Sequence, residues 1–519
     1  MDSCSKMNSQ VEQIGRNLKS DWCFLEKIYD LLHEGNCLYV AKDEKIVDFK
    51  QPDEVMKLVN IKFSEEPTCN QKELLDEFRK VIKYSVKTNH PHFHNQLFGQ
   101  MDPIGLAGAW ITEALNTSSY TFEVAPVFSL IESEVLRKVC ELCGYGNGDG
   151  IFAPGASMSN MYGMSLARYK FCPDVKTKGV FGMKPLVLFS SEESHYSFKK
   201  DAHWLGIGTD NCIAVKTNEK GQMLVSDLEE KIRRALKEDK QPFFVNATAG
   251  TTVLGAYDDL NAIADVCEKY NLWLHVDAAH GGSVILSKNN RHLMSGIERT
   301  NSMAWNPHKA LGTPLQCSMF LTKEKDLLPQ CNSTDAKYLF QQDKFYDVSY
   351  DTGNKSLQCG RKIDAFKFWS MLKYRGTGGL GDLVDHVITM SKLFTEKVKS
   401  REGFRLVQDN FQYTNVCFWY IPKHMRNKEE NDKWRQELWT VAPKIKEQMV
   451  RSGSIMVGYS PLAYRGLGNF IRMVFTCFPV LEEVELDFIL DKIEELGEMA
   501  FNNNSCTSTS NGFIKNGYH

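Results

Sequence analysis

The decisive stretch is residues 242–280, PFFVNATAGTTVLGAYDDLNAIADVCEKYNLWLHVDAAH, with its continuation SMAWNPHKALG at 302–312. PFFVNAT and LWLHV are short apolar runs rich in aromatic and branched side chains, the pattern of strands buried on both faces. Between them DDLNAIADVCEKY places Leu260, Ile263, Ala264 and Cys267 on one helical face. SMAWN then reads as a third strand. Strand, helix, strand at this spacing predicts a parallel sheet covered by helices.

Working outward, the same alternation fills residues from about 150 to 375, where PLVLFSS is followed by the helical HYSFKKDAHWLG. Upstream, QKELLDEFRKVIKYSV has the 3–4 spacing of a helix with one buried face. Downstream come a helix (VDHVITMSKLFTEKVKSR), strand-like TNVCFWYI and FIRMVFT, and a last helix, VELDFILDKIEELGEMA. The expected organisation is an N-terminal arm over 1–100, a large α/β domain over 101–375, a small C-terminal α/β domain over 376–500 and a disordered Asn/Ser/Thr-rich tail over 501–519. No internal repeat is present.

Composition bounds the function class. Charged residues make up 24% and hydrophobic ones 42% of the 519 residues, ordinary values for a globular chain. A net charge of −3 gives no electrostatic reason to expect nucleic acid or an acidic membrane as partner. No apolar run approaches the roughly 20 residues of a membrane span, and MDSCSKMNSQVEQIGRNLKSDW lacks a basic start with an apolar core. The 15 scattered cysteines read as reduced thiols of a cytoplasmic protein.

In an open parallel sheet, ligands sit beyond the carboxyl ends of the strands. The residues found there are Asp277 and Ala279 after LWLHV, Thr248 after PFFVN, His195 after LVLFSS, and Asn306, His308 and Lys309 after SMAW. Near Phe152, APGASMSN is a small-residue loop opening a helix, and a helix N-terminus with close backbone access suits a phosphate. Lysine forms an imine with an aldehyde; a carboxylate can keep a pyridine nitrogen protonated; a helix start holds phosphate. Together these are the requirements of pyridoxal 5'-phosphate (PLP).

HVDAA, NPHK, ATAGTTVLGA, TNHPHFHNQL, YTFEVAPVF, YLFQQDKFYDVSYDTG and NVCFWYIP resemble the group II PLP-dependent amino-acid decarboxylases, in the acidic branch that acts on cysteine sulfinate, aspartate or glutamate. The resemblance runs from about residue 75 to about 497. It implies PLP-dependent fold type I, with a mostly parallel seven-stranded sheet, and a homodimer with active sites at the interface.

Residue by residue, the resemblance implies that Lys309 is the Schiff-base lysine, Asp277 the partner of the pyridine nitrogen, Ala279 the floor under the ring and His195 its cover. Ala156, Ser157 and Asn306 match phosphate-binding positions, with His308 beside the phosphate and Thr248 beside the ring. Tyr346 matches a mobile-loop tyrosine that protonates the substrate carbon and reaches the neighbouring subunit. Arg472 matches the arginine that grips a substrate carboxylate, a task its planar fork suits; Gln96 and Phe98 line the same pocket. Two departures stand out: His280 where the family usually has Trp, and Ala156 where it usually has Gly.

Substrate choice divides on these residues. Phe98 and Ser157 resemble the cysteine sulfinate and aspartate enzymes, which would yield hypotaurine and β-alanine; GTPLQCS resembles the glutamate enzyme, which would yield GABA. A PLP-binding protein without decarboxylase activity is the alternative from a different class, the two departures being its basis. An aromatic substrate is disfavoured by Arg472 and Gln96. Cys140 and Cys143 in CELC read as helix packing, and His90, His92 and His94 in HPHFH as part of the pocket approach rather than a metal site; no metal is expected.

Overall fold

The computed structural model describes residues 18–334 and 336–502. The tail expected to be disordered lies outside them beyond Asn502, as do the first 17 residues.

In chain order the strands are β1 (Phe93–His94), β2 (Asp149–Ala153), β3 (Leu186–Ser191), β4 (Cys212–Val215), β5 (Gln241–Thr248), β6 (Trp273–Ala278), β7 (Ser302–Trp305), β8 (Ser318–Thr322), β9 (Phe404–Leu406), β10 (Asn415–Tyr420), β11 (Met456–Leu462) and β12 (Leu467–Val474). β2 to β8 form a seven-stranded sheet in the order β2-β8-β7-β6-β5-β3-β4. β8 alone runs against its neighbours, pairing antiparallel with both β7 and β2; the other neighbour pairs are parallel. This mostly parallel seven-stranded sheet is the one that the resemblance to PLP-dependent fold type I leads one to expect.

Both faces of the sheet are covered, which is why its strands carry apolar residues at successive positions rather than alternate ones. On β3, Val187 and Phe189 join one hydrophobic cluster while Leu186 and Leu188 join the other. One face is packed by the helix Ala156–Phe171 through Tyr162, Met164 and Leu166. The helices Pro126–Cys143, Val225–Lys237 and Leu260–Tyr270 cover the opposite face. Trp305, fully buried at the end of β7, packs edge-on against Phe368 at 5.4 Å. Each such large side chain contributes about 1.5–3 kcal/mol of transfer free energy.

The helix expected from QKELLDEFRKVIKYSV spans Gln71–Tyr84, started by an Asn70–Glu73 capping box. VDHVITMSKLFTEKVKSR lies within a longer run, Asp364–Ser400, broken at Gly376, whose φ of 66° is left-handed. Beyond it, β9, β10, β12 and β11 pair antiparallel, and β11 pairs parallel with β1. The five-stranded sheet therefore borrows its edge from the N-terminal part of the chain. Among the described residues no helix is long and apolar enough to cross a membrane, and every cysteine is free.

Candidate active site

The carboxyl ends of β3, β5, β6 and β7 are neighbours in the sheet, so the residues after them meet by topology. Asp277 lies beside Thr248 on one side and Ala304 on the other. Its carboxylate is buried and accepts two hydrogen bonds: Ala279 N–H to Oδ1 at 3.0 Å and Asn160 Nδ2 to Oδ2 at 3.1 Å. Asn160 also donates to Ser197 Oγ at 3.1 Å and accepts from His275 Nε2 at 3.0 Å. His275 Nδ1 rests on Ser302 Oγ at 2.8 Å. This buried chain fixes the carboxylate from behind and leaves one side of it to the site.

Lys309 follows the turn after β7, its N–H bonded to Asn306 O at 3.0 Å. Burial holds its ammonium below the ordinary lysine range; nearby Asp277 opposes that shift and Arg472 adds to it. Among the described residues, Lys309 Nζ makes no hydrogen bond or ion pair. A partly buried lysine left without a protein partner, next to a fixed carboxylate, is an amine available to a carbonyl.

The phosphate end is also built. Gly155 caps the helix Ala156–Phe171 at φ 98°, without any side chain to occupy the first amides, and a Cβ there would meet nothing within 4 Å. Ser159 Oγ lies 3.1 Å from Ser318 Oγ, which donates to Asn306 Oδ1 at 2.6 Å. These bonds tie the helix start, β8 and the loop before Lys309 into one cradle. Ala156, although it departs from the family pattern, sits in the first helical turn, and the left-handed position is Gly155; the extra methyl imposes no backbone strain there. Ser157 is exposed. His308 is buried, its pKa lowered to about 4 chiefly by burial, and its Nδ1 lies 2.6 Å from Cys317 O and 3.0 Å from Cys317 N. An imine-forming amine, a buried acceptor for a pyridinium N–H and an uncapped helix start form the donor set of PLP, and the residues fit that group.

His195, half-buried, accepts from Ser197 N–H at Nδ1 (3.2 Å), so the neutral ring carries its proton on Nε2. Burial lowers its pKa. Thr248 is buried, its N–H bonded to Asp258 at 2.8 Å. Ala279 is buried beside Asp277. Arg472, on β12, reaches across from the smaller sheet: Nη1 donates to Thr252 O at 3.0 Å and Nη2 to Asn95 O at 3.2 Å, while its buried Nε has no partner. Phe98 lines a cleft of 440 Å³ with His308, Gly312 and Thr313. Gln96 is exposed in the single chain.

Tyr346 is held elsewhere within its own chain. Its hydroxyl donates to Asp351 at 3.1 Å and its ring packs on Phe122 at 5.2 Å. It makes no hydrogen bond, ion pair or ring contact with Lys309, His195 or Arg472.

The pyridoxal-dependent decarboxylase conserved domain matches residues 52–421. The chain belongs to the pyridoxal-dependent decarboxylases. It is a PLP-dependent carboxy-lyase. It is 50% identical over 484 residues to the acidic amino acid decarboxylase GADL1 of Bos taurus, covering 93% of this chain and 92% of that one. It is 50% identical over 456 residues to the cysteine sulfinic acid decarboxylase of Homo sapiens, covering 88% and 92%. A crystal structure of mouse CSAD superposes with a TM-score of 0.89 at 45% identity, covering 93% of this chain and 99% of that one.

Asn160, His275 and Ser302 were not legible as site residues in the sequence. Asn160 sits four residues past Ala156 in SMSN, where it looks like an ordinary helical position. The motif CELC is packing: Cys140 and Cys143 are buried in the helix Pro126–Cys143, and burial pushes both thiols up. The three histidines of HPHFH turn to different partners, His90 to Glu44 O, His92 to Glu485 and His94 to Val474 O.

Proposed function

We propose that the chain decarboxylates small acidic amino acids, cysteine sulfinate and aspartate before glutamate, as a homodimer in the cytoplasm. The observation that carries the reading is Lys309: its amine, lowered by burial and without a protein partner, lies near both Asp277 and Arg472.

PLP, when bound, supplies the electron sink for the pair left as the Cα–carboxylate bond breaks. Lys309 would hold the cofactor's aldehyde and give way to the substrate amine; burial holds its ammonium below the ordinary lysine range. Asp277, braced by Asn160 and the Ala279 amide, would hold the proton on the pyridine nitrogen. Ala279 and Thr248 would pack beside the ring. The first amides of the helix Ala156–Phe171 (those of Ala156 and Ser157), with Asn306 and neighbouring His308, hold the phosphate. His195 presents its Nε2 proton toward the departing carboxylate, and Arg472 and Gln96 hold the side-chain acid. Tyr346, if brought in on the partner subunit's loop, would return a proton to Cα.

Two observations support the homodimer. Trp110, Ile111 and Leu115 on one helix and Val127 and Leu130 on another are exposed large apolar side chains, an unusual concentration for a lone chain. Tyr346 bonds to Asp351 and not to Lys309, His195 or Arg472 within one chain, as a residue that completes a neighbour's site would. Free cysteines throughout the described residues support a reducing compartment. For a division at 100, 375 and 500, the support is the break at Gly376 and the presence of two sheets.

For the substrate, the support is Phe98, whose ring would shorten the pocket, together with the activities for which the relatives are named, cysteine sulfinic acid decarboxylase and acidic amino acid decarboxylase. Size selection of this kind is worth only about 1–3 kcal/mol, so activities overlap. The test is CO2 release from cysteine sulfinate, aspartate and glutamate assayed side by side. Glutamate turning over fastest would overturn the preference; no CO2 from any acid would favour a PLP-binding protein without this activity.

A further inference from the structure

His280 is the departure that the proposed chemistry leaves without a task, and it sits at a junction. It follows the Asp277–Ala279 loop, is 2% exposed, and packs edge-on against Tyr413 at 4.8 Å. Its Nε2 lies 2.8 Å from Asn415 Oδ1. Asn415, wholly buried at the start of β10, gives both its amide hydrogens to backbone carbonyls, Thr252 O and Val253 O, each at 3.0 Å. Its Oδ1 is therefore an acceptor in need of a donor, and neutral His280 with the proton on Nε2 supplies one. Arg472 Nη1 donates to the same Thr252 O, at 3.0 Å. In the small sheet, β10 and β12 are adjacent, with Cys417 directly opposite Arg472. One chain of bonds thus runs from the cofactor loop to the arginine: His280, Asn415, Thr252 O, Arg472.

We propose that His280 is a positioning residue which, through Asn415 and the Thr252 carbonyl, sets the orientation of the Arg472 fork and so the grip on the substrate's side-chain acid. The proposal rests on the reading of Arg472 as that clamp. Without the His280 donor, Asn415 Oδ1 is a buried acceptor with no partner. The Asn415 amide then loses the bond that fixes its rotamer, so its donor to Thr252 O, and with it the seat of Arg472, loosens. The acid it grips does not react, so the loss falls on ground-state and transition-state binding alike and raises KM more than it lowers kcat.

The test uses holoenzyme of the wild type and of H280F, H280Q, N415A and R472M. KM and kcat are measured with cysteine sulfinate and aspartate, succinate affinity is read from its effect on the cofactor's visible spectrum, and the spectrum itself is recorded without ligand. The expected result is a rise in KM and in the succinate dissociation constant of about tenfold for H280F and N415A, the size of one lost buried hydrogen bond. The unliganded spectrum stays that of the wild type, and H280Q, which restores an N–H donor, recovers the wild-type KM to within about threefold. R472M loses more than either. H280F and N415A with wild-type KM, beside an impaired R472M, would overturn the proposal and leave the clamp standing. A wild-type KM in R472M would overturn the clamp and the proposal with it. N415A carries the same test away from the cofactor loop should H280F fold poorly.

Discussion

Asn160 meets Asp277 at 3.1 Å, and the same side chain is gripped from behind by His275 at 3.0 Å. A helix residue thereby aims a strand-end carboxylate. Replacing Asn160 by Ala removes one of the two hydrogen bonds that hold Asp277. PLP affinity should fall by about 1–3 kcal/mol, or roughly five- to 150-fold in dissociation constant. Titrating the apoenzyme with PLP by fluorescence measures this; unchanged affinity would mean that the Ala279 amide alone aims the carboxylate.

Asp201 gives a pH dependence of defined sign. It is 2% exposed, and burial, with Asp277 nearby, pushes its carboxyl up to about 8. The folded chain therefore keeps a proton there that the unfolded chain releases near the ordinary aspartate value of 3.8. Between about pH 4 and pH 8 the folded state binds more protons, so this group's contribution to stability falls as pH rises through that window. Asn does not titrate. D201N should gain on the wild type progressively from pH 5 to pH 8, at up to about 1.4 kcal/mol per unit, as read from urea midpoints of the two apoenzymes. A difference independent of pH would place the group's titration outside that window.

Ala156 has an ordinary helical backbone, with Gly155 taking the left-handed position beside it. A156G should therefore leave PLP affinity within about threefold of the wild type, since it relieves no strain and only adds the backbone freedom of glycine. A tenfold gain in the same titration would show that the methyl crowds the phosphate.

Phe98 lines the cleft that also reaches His308 and Gly312. F98S, by lengthening the pocket, should raise kcat/KM for glutamate relative to cysteine sulfinate by about tenfold, within the usual range of pocket-size selection. Competition between the two acids in one reaction measures the ratio directly. An unchanged ratio would remove Phe98 as the length gauge.

The sequence carried the large sheet well because strands buried on both faces leave continuous apolar runs, and helices between them leave a 3–4 spacing. PFFVNAT, LWLHV and SMAW became β5, β6 and β7. The residues after those runs, Asp277, Asn306 and Lys309, could be gathered for the same reason: parallel topology puts successive strand ends on one edge. Pairing between distant segments leaves no local trace, so the two-residue β1, held by β11, was not legible. Nor was the reversed direction of β8. Asn160 and Asn415 escaped because a lone asparagine has no periodic signature; only its partners give it meaning. Tyr346 could be named from its motif, but one chain does not carry it to Lys309.

The central claim is that Lys309 holds the cofactor. Reducing the holoenzyme with borohydride and mapping its peptides by mass spectrometry tests this most directly. The pyridoxyl group should be found on Lys309, in the peptide containing NPHK, and K309A should retain none. A pyridoxyl group on any other lysine, or its persistence in K309A, would contradict the account.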